Sequence, residues 1–327
     1  MRRKLAGFLS AAWILCLLAG CGPAAQPDEG KVQVVSTLFP YYDFARQIGG
    51  DRVAVTLLLS PGRESHSFEP TPLDVIRISE ADVFLYNGGE GEMWVEETLD
   101  SFDAPDQVVS CMMDCVDTLE EELVEGMEAH DDHDRDHEHS HGEDGHAGIE
   151  DIEYDEHIWT SPVNARLLAA AVCSALTQAD PAGADYYAAN LAGYQAELDQ
   201  LDSAFREVVS HARRRLLVFG DRFPLLYFCK TYGLDYRAAF QGCSSDTEPS
   251  VKTLAYLIDK VSAEGIPAVY HLELSSQAVS NVICESTGAK PLLFHSCHNL
   301  SRADFEGGAT YLSLMRKNVD ALREGLA

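Results

Sequence analysis

The chain is short of positive charge. Its 327 residues carry 24 Lys and Arg against 53 Asp and Glu, a formal net charge of −29. So acidic a surface argues against nucleic acid and anionic lipid as partners and favours cations. No Cys-x-x-Cys pair is present, which disfavours a thiolate zinc finger or a thioredoxin-type redox site. The one His-Glu-x-x-His string, His137-Glu138-His139-Ser140-His141, sits in an acidic run with almost no apolar residues, so it lacks the amphipathic helix that the zinc-hydrolase signature needs. The one long apolar run, Leu5 to Ala19, is too short for a comfortable membrane span. Histidine is scarce outside one segment: only His66, His157, His211, His271, His295 and His298 lie elsewhere.

The first residues read as a targeting segment. Arg2, Arg3 and Lys4 precede the apolar run, which ends in Leu18-Ala19-Gly20-Cys21 and resembles the lipobox of bacterial lipoproteins. That resemblance implies a signal peptide over 1–20, lipidation of Cys21 and attachment to the membrane through the lipid alone. Residues 21–30 are small, polar and Pro-containing, as suits a tether. Removing the three basic residues takes the formal charge from −29 to −32. Of the nine cysteines, seven then remain, an odd number that leaves at least one unpaired within a chain.

Beyond the tether, β-rich and helix-compatible stretches alternate. Strands are expected at 32–39, 53–59, 82–86 and 107–111, with helices between them, which indicates βαβ units and mainly parallel sheets. Residues 118–156 break the pattern with seventeen Asp or Glu, one Arg and six His. They are expected to form a disordered, solvated loop. Within it His130, His133, His137, His139, His141 and His146 would bind divalent ions weakly, because the ordering entropy limits affinity where no geometry is fixed. Structure resumes at Ser161-Pro162, and a long helical stretch over 184–214 places Tyr187, Leu191, Tyr194, Leu198, Leu201 and Phe205 three or four residues apart. A second alternation follows: a strand at 216–219, helices at about 223–231 and 250–263, a strand at 268–274, a helix at 277–287, a strand at 291–294 and a helix at about 309–324. The expected fold is α/β. It has an N-terminal lobe over 31–183, a linking helix over 184–214 and a C-terminal lobe over 215–327. A ligand site is expected between the lobes at the carboxyl ends of the strands.

Three histidines fall in loops at strand or helix ends. His66 lies in Pro61-Gly62-Arg63-Glu64-Ser65-His66-Ser67-Phe68-Glu69-Pro70, His157 in Asp155-Glu156-His157-Ile158-Trp159, and His298 in His295-Ser296-Cys297-His298. Taken alone, the first two fit a structural hydrogen bond better than a ligand. Two histidines three residues apart in one loop form a better metal signal.

With further stretches these loops resemble the zinc- and manganese-binding lipoproteins of ABC importers, the ZnuA/TroA-like solute-binding family. The matching segments run from about 32 to 325. They include Tyr41-Tyr42-Asp43-Phe44-Ala45, Ser79-Glu80-Ala81-Asp82-Val83-Phe84, His157-Ile158-Trp159 with Ser161-Pro162, Tyr232-Gly233-Leu234, Glu248-Pro249-Ser250 and Tyr311 with Met315 and Asn318. The resemblance implies two Rossmann-like lobes on a rigid helix, and a monomer that gives its cargo ion to a permease and its ATPase. It also implies four metal-facing positions. The first two correspond to His66 and His157. The third, ten residues before Tyr-Gly-Leu, is Arg222, where the family has a ligand and this chain has a group that cannot bind metal. The fourth falls on His298, with His295 the alternative if the loop register differs.

Three imidazoles with a carboxylate or water suit Zn²⁺, whereas Mn²⁺, the other candidate, favours more oxygen. Asp221 and Glu273 are the carboxylates placed to complete the set or to pair with Arg222. The competing readings are an adhesin or metal-storage lipoprotein and, less supported, a zinc-dependent hydrolase, for which Glu273 is the one nameable base. The chain is therefore expected to be a binding protein rather than an enzyme.

Overall fold

The computed structural model describes residues 30–63, 68–127, 153–242 and 249–327. Two four-stranded sheets organise the chain. The first comprises β1 (Val32–Ser36), β2 (Val53–Leu57), β3 (Val83–Tyr86) and β4 (Val108–Cys111). The second comprises β5 (Leu216–Phe223), β6 (Asp235–Gln241), β7 (Ala268–His271) and β8 (Lys290–Leu293). Strand order is β2-β1-β3-β4 in one and β6-β5-β7-β8 in the other, and every pairing is parallel.

Parallel strands need helical crossovers, and these cover both faces of each sheet. Alternation along the strands feeds two layers. Val34 belongs to the large central core, while its neighbour Val35 joins Ile78 and Val95 of helices Pro72–Ser79 and Trp94–Asp100 on the opposite face. In the second sheet Leu217 and Phe219 face the central core, and Val218 faces Leu257 and Val261 of helix Val251–Glu264. Gly220 allows helix Ala278–Thr287 to approach closely, since a Cβ there would lie 2.5 Å from the backbone of Ser280.

Local sequence sets the helix starts. Thr71 and Asp74 form a reciprocal capping box with Pro72 in the first turn. Ser250 caps its helix by accepting from the Thr253 N–H at 3.1 Å. The long helix spans Ala184–Ser210 and buries Tyr187, Tyr194, Leu198, Leu201, Phe205, Val208 and Val209 along one stripe. It packs on helices Phe39–Gly49, Pro162–Ala179 and Tyr311–Gly325. Because one continuous core draws on both sheets and these helices, the lobes share apolar packing rather than meeting across a wet interface. Among the described residues no helix is long and apolar enough to cross a membrane.

The main departures from the sequence reading are three. Strand β5 continues to Phe223 through a register shift between Phe219 and Arg222, so Asp221 and Arg222 belong to a strand and not to the loop after it. Strand β6 was not anticipated: its Asp235 and Arg237 mask the period-two pattern of an edge strand whose Tyr236 and Ala238 are buried.

The third departure concerns the expected loop over 118–156, whose two ends are packed. Glu120 and Tyr154 form an antiparallel bridge, and Leu119, Val124 and Met127 pack against the core. Glu122 pairs with Lys230 at 2.6 Å and Glu125 with Arg237 at 3.1 Å. Scattered apolar residues anchor these ends despite the surrounding carboxylates. The interior of the segment, with its six histidines, lies outside the described residues, as do residues 1–29 with Cys21.

Candidate metal centre

The carboxyl ends of the strands open into a cavity lined by His157 and His298 together with Arg63, Asp221, Arg222, Glu273, Ser296 and Asn299. His157 follows the packed return of the acidic segment and precedes a short helical turn, Ile158–Thr160. It is fully buried. Its backbone N–H donates to Asp155 Oδ1 at 2.7 Å, and its ring Nδ1 lies 3.1 Å from the same oxygen. A proton on Nδ1 directed at a carboxylate leaves the Nε2 lone pair for a metal, the usual way a protein fixes the tautomer of a ligating imidazole. Burial opposes charge on this ring most strongly, but the carboxylates of Asp155, Glu156 and Glu121 together outweigh it, and the imidazole is held above its ordinary value.

His298 comes from the loop after β8. That loop is drawn into shape by Glu273, whose carboxylate accepts from both the N–H and the hydroxyl of Ser296 at 2.7 Å. The Ser296 hydroxyl in turn accepts from the His298 N–H at 3.2 Å. Between them Cys297, buried, adopts a left-handed conformation with φ of 59°, costly for a non-glycine residue and held by its surroundings. Burial raises the Glu273 carboxyl to about 7, while its bonds to Ser296 pull the other way.

The rings of His157 and His298 lie 5.2 Å apart, centre to centre, at 80°. Two imidazoles sharing a tetrahedral Zn²⁺ at about 2.0–2.1 Å from each nitrogen have ring centres roughly 5 Å apart. The spacing therefore fits a common ion. Trp159 backs both rings, at 5.6 Å from His157 and 5.0 Å from His298, and its Nε1–H donates to the Ser296 carbonyl at 2.8 Å. Asn299 donates to the carbonyls of Ser60 and Arg63 at 2.9 and 2.8 Å. The His298 loop is thus tied to the segment that leads toward His66. His66 itself lies outside the described residues, but Arg63 borders the His157–His298 cavity, and Phe68 borders a neighbouring one that His298 also lines. Among the described residues no group of three or more His, Cys, Asp or Glu could hold a metal ion, so the two imidazoles need a further donor.

The other candidates fall in different places. His295 does not line the cavity. Its backbone is locked to Asn318 through bonds of 2.7 Å in each direction, and burial with the nearby Lys317 charge lowers its imidazole to about 4. Arg222 does line the cavity, but the carboxylates expected to pair with it are engaged elsewhere. Asp221 accepts from the Arg222 and Leu272 backbone N–H groups at 2.9 and 3.1 Å, stitching β5 to the residue after β7, and Glu273 holds Ser296. Sequence reasoning assigned no role to Asp155, Trp159, Ser296 or Asn299. A carboxylate two residues before a loop histidine was the one legible signal for Asp155.

The chain as a whole is similar to known zinc-binding proteins. The zinc-binding lipoprotein AdcA of Streptococcus pneumoniae is 33% identical over 321 residues, 98% of this chain and 61% of that protein. The chain thus spans somewhat over half the length of the streptococcal relatives. The high-affinity zinc uptake system protein ZnuA of Bacillus subtilis is 31% identical over 331 residues, covering all of this chain and 99% of its own length. The Zn(II)-bound ZnuA-like domain of S. pneumoniae AdcA superposes with a TM-score of 0.72 at 30% identity, over 91% of this chain and 99% of that domain. The model of the ZnuA family, zinc-uptake complex component A periplasmic, matches residues 34–325; the chain belongs to that family.

Proposed function

We propose that this chain captures Zn²⁺ in the cleft between its lobes and delivers it to the permease and ATPase of an ABC importer. His157 and His298 are the described ligands, and His66 is the third. The observation that carries the reading is the pair of imidazoles at 5.2 Å, one of them oriented by a buried carboxylate. Relatives matching nearly the whole chain are named for zinc binding and zinc uptake, which supports the same cargo. A set dominated by imidazole favours zinc over manganese. Arg222 supplies no donor, so water or one carboxylate completes the coordination. The protein is a monomer outside the cytoplasm, lipid-anchored through Cys21, and it binds rather than transforms its ion.

Metal analysis of protein purified without chelator, followed by competition among Zn²⁺, Mn²⁺ and Fe²⁺, tests this reading. One tightly held zinc per chain is expected. Preferential retention of manganese, or no retained divalent ion, overturns it.

A further inference from the structure

Consecutive residues just before His157 are tied to opposite lobes. On the N-terminal side, the Glu156 carbonyl accepts from Asn87 Nδ2 at 3.0 Å, and its carboxylate accepts from the Gly91 N–H at 2.8 Å. Asn87 is itself fixed by the Tyr41 hydroxyl. On the other side stands Tyr227, on helix Leu226–Tyr232 of the C-terminal lobe. Its buried hydroxyl donates to the Asp155 carbonyl at 2.8 Å and accepts from the Leu119 N–H at 3.0 Å. The triangle closes through Asp155, whose N–H donates to the Leu119 carbonyl at 2.9 Å. One phenol thus joins the outgoing and returning legs of the acidic segment and holds the backbone of the residue whose carboxylate orients His157.

We propose that Tyr227 is a positioning residue for the metal centre: through Asp155 it lets the C-terminal lobe set the orientation of a ligand carried by the N-terminal half of the chain. This rests on the assignment of His157 as a ligand. The physical reason is leverage at a fixed point. Asp155 reaches the His157 ring with one oxygen, Oδ1, which also receives the His157 N–H, so a shift of the Asp155 backbone moves the acceptor relative to Nδ1. The ion pairs flanking the strap, Glu122–Lys230 and Glu125–Arg237, each have at least one well-exposed partner and hold position weakly. The buried hydroxyl makes two directional bonds that water cannot replace.

The test is Tyr227→Phe in the full chain, which keeps the ring and removes the two bonds. Zn²⁺ affinity, read by chelator competition, is expected to fall about tenfold, the lower end of the usual loss for groups that orient ligands. In an Asp155→Asn background the same substitution should change affinity less than about twofold, because the group it acts through is already disabled, and non-additivity reports such coupling. Tyr232→Phe is the control for a merely structural loss. It lies on the same helix and gives up a bond to Asp202 at 3.0 Å, and it should leave zinc affinity unchanged whatever it does to melting temperature. Equal losses from Tyr227→Phe and Tyr232→Phe, full additivity with Asp155→Asn, or wild-type affinity in Tyr227→Phe each overturns the proposal. His157→Ala separates the two readings. If it retains zinc the site assignment fails; if it loses zinc while Tyr227→Phe does not, only the positioning role fails.

Discussion

Replacing Asp155 by Asn probes the proposed metal centre most directly, because it alters one charge and almost no volume. Asp155 is 2% exposed, and its Oδ1 serves both the backbone N–H and the ring Nδ1 of His157, at 2.7 and 3.1 Å. An amide in the same place can still accept one bond, but it lacks the charge that favours a proton on Nδ1. It can also turn its NH₂ toward the ring. In that orientation Nδ1 becomes the acceptor, the proton moves to Nε2, and the lone pair intended for the metal is lost. Loss of an orienting partner costs roughly 10–100-fold in metal affinity, about 1.4–2.7 kcal/mol. With the neutral amide and the tautomer reversal acting together, the upper half of that range is expected. The assay is competition against a zinc chelator of known affinity at constant pH, with Trp159 fluorescence as a second readout, because its indole lies against both imidazoles. The fold must be checked by melting temperature of the metal-free protein. If Asp155→Asn binds zinc within twofold of wild type while His157→Ala loses it, the oriented-imidazole argument is refuted.

Four further outcomes are expected. His298→Ala should weaken zinc binding by about 100-fold or more, whereas His295→Ala should leave affinity unchanged; the reverse pattern in titration would mean that the loop presents the other histidine. Deleting residues 130–148 should preserve the tight site and remove weaker equivalents seen by calorimetry, provided the packed residues up to Met127 are retained; loss of the tight site would refute this. Arg222→His should tighten zinc binding in the same competition assay by adding an imidazole at a position that lines the cavity; weaker binding would mean that the guanidinium organises a ligand. Asp43, buried beneath the final helix and accepting from the Tyr311 N–H at 2.8 Å, is raised from 3.8 to about 6 chiefly by burial. A folded value above the unfolded one contributes stability that is complete below about pH 3.8 and lost as pH rises through 6. Asp43→Asn should therefore flatten the fall in melting temperature of the metal-free protein between pH 4 and 6; an unchanged slope would show that another group titrates there.

The fold class was legible in the sequence, because local rules and tertiary demands agree along most of the chain. Alternating strand and helix signals imply parallel sheets. Thr71-Pro72 and Ser250 mark helix starts, and the three-and-four spacing from Tyr187 to Phe205 marks the buried stripe of the long helix. Histidines at strand and helix ends were also legible as candidates, since little else in so acidic a chain offers neutral nitrogen. Tertiary structure alone decided which of those residues meet. His157 and His298 come from different sheets' loops and are brought to 5.2 Å only when both lobes fold; His295, three residues away, has its backbone held by Asn318 and does not line the cavity. Strand β6 escaped notice because an edge strand that presents Asp235 and Arg237 lacks a clean apolar alternation. The ends of the acidic segment escaped notice because composition averages over a window, whereas a few residues such as Leu119 and Met127 suffice to anchor a chain that finds a complementary surface. Asp155 is not singled out by the same charge run: among seventeen carboxylates its sequence is ordinary, and only the fold shows it buried against the His157 ring.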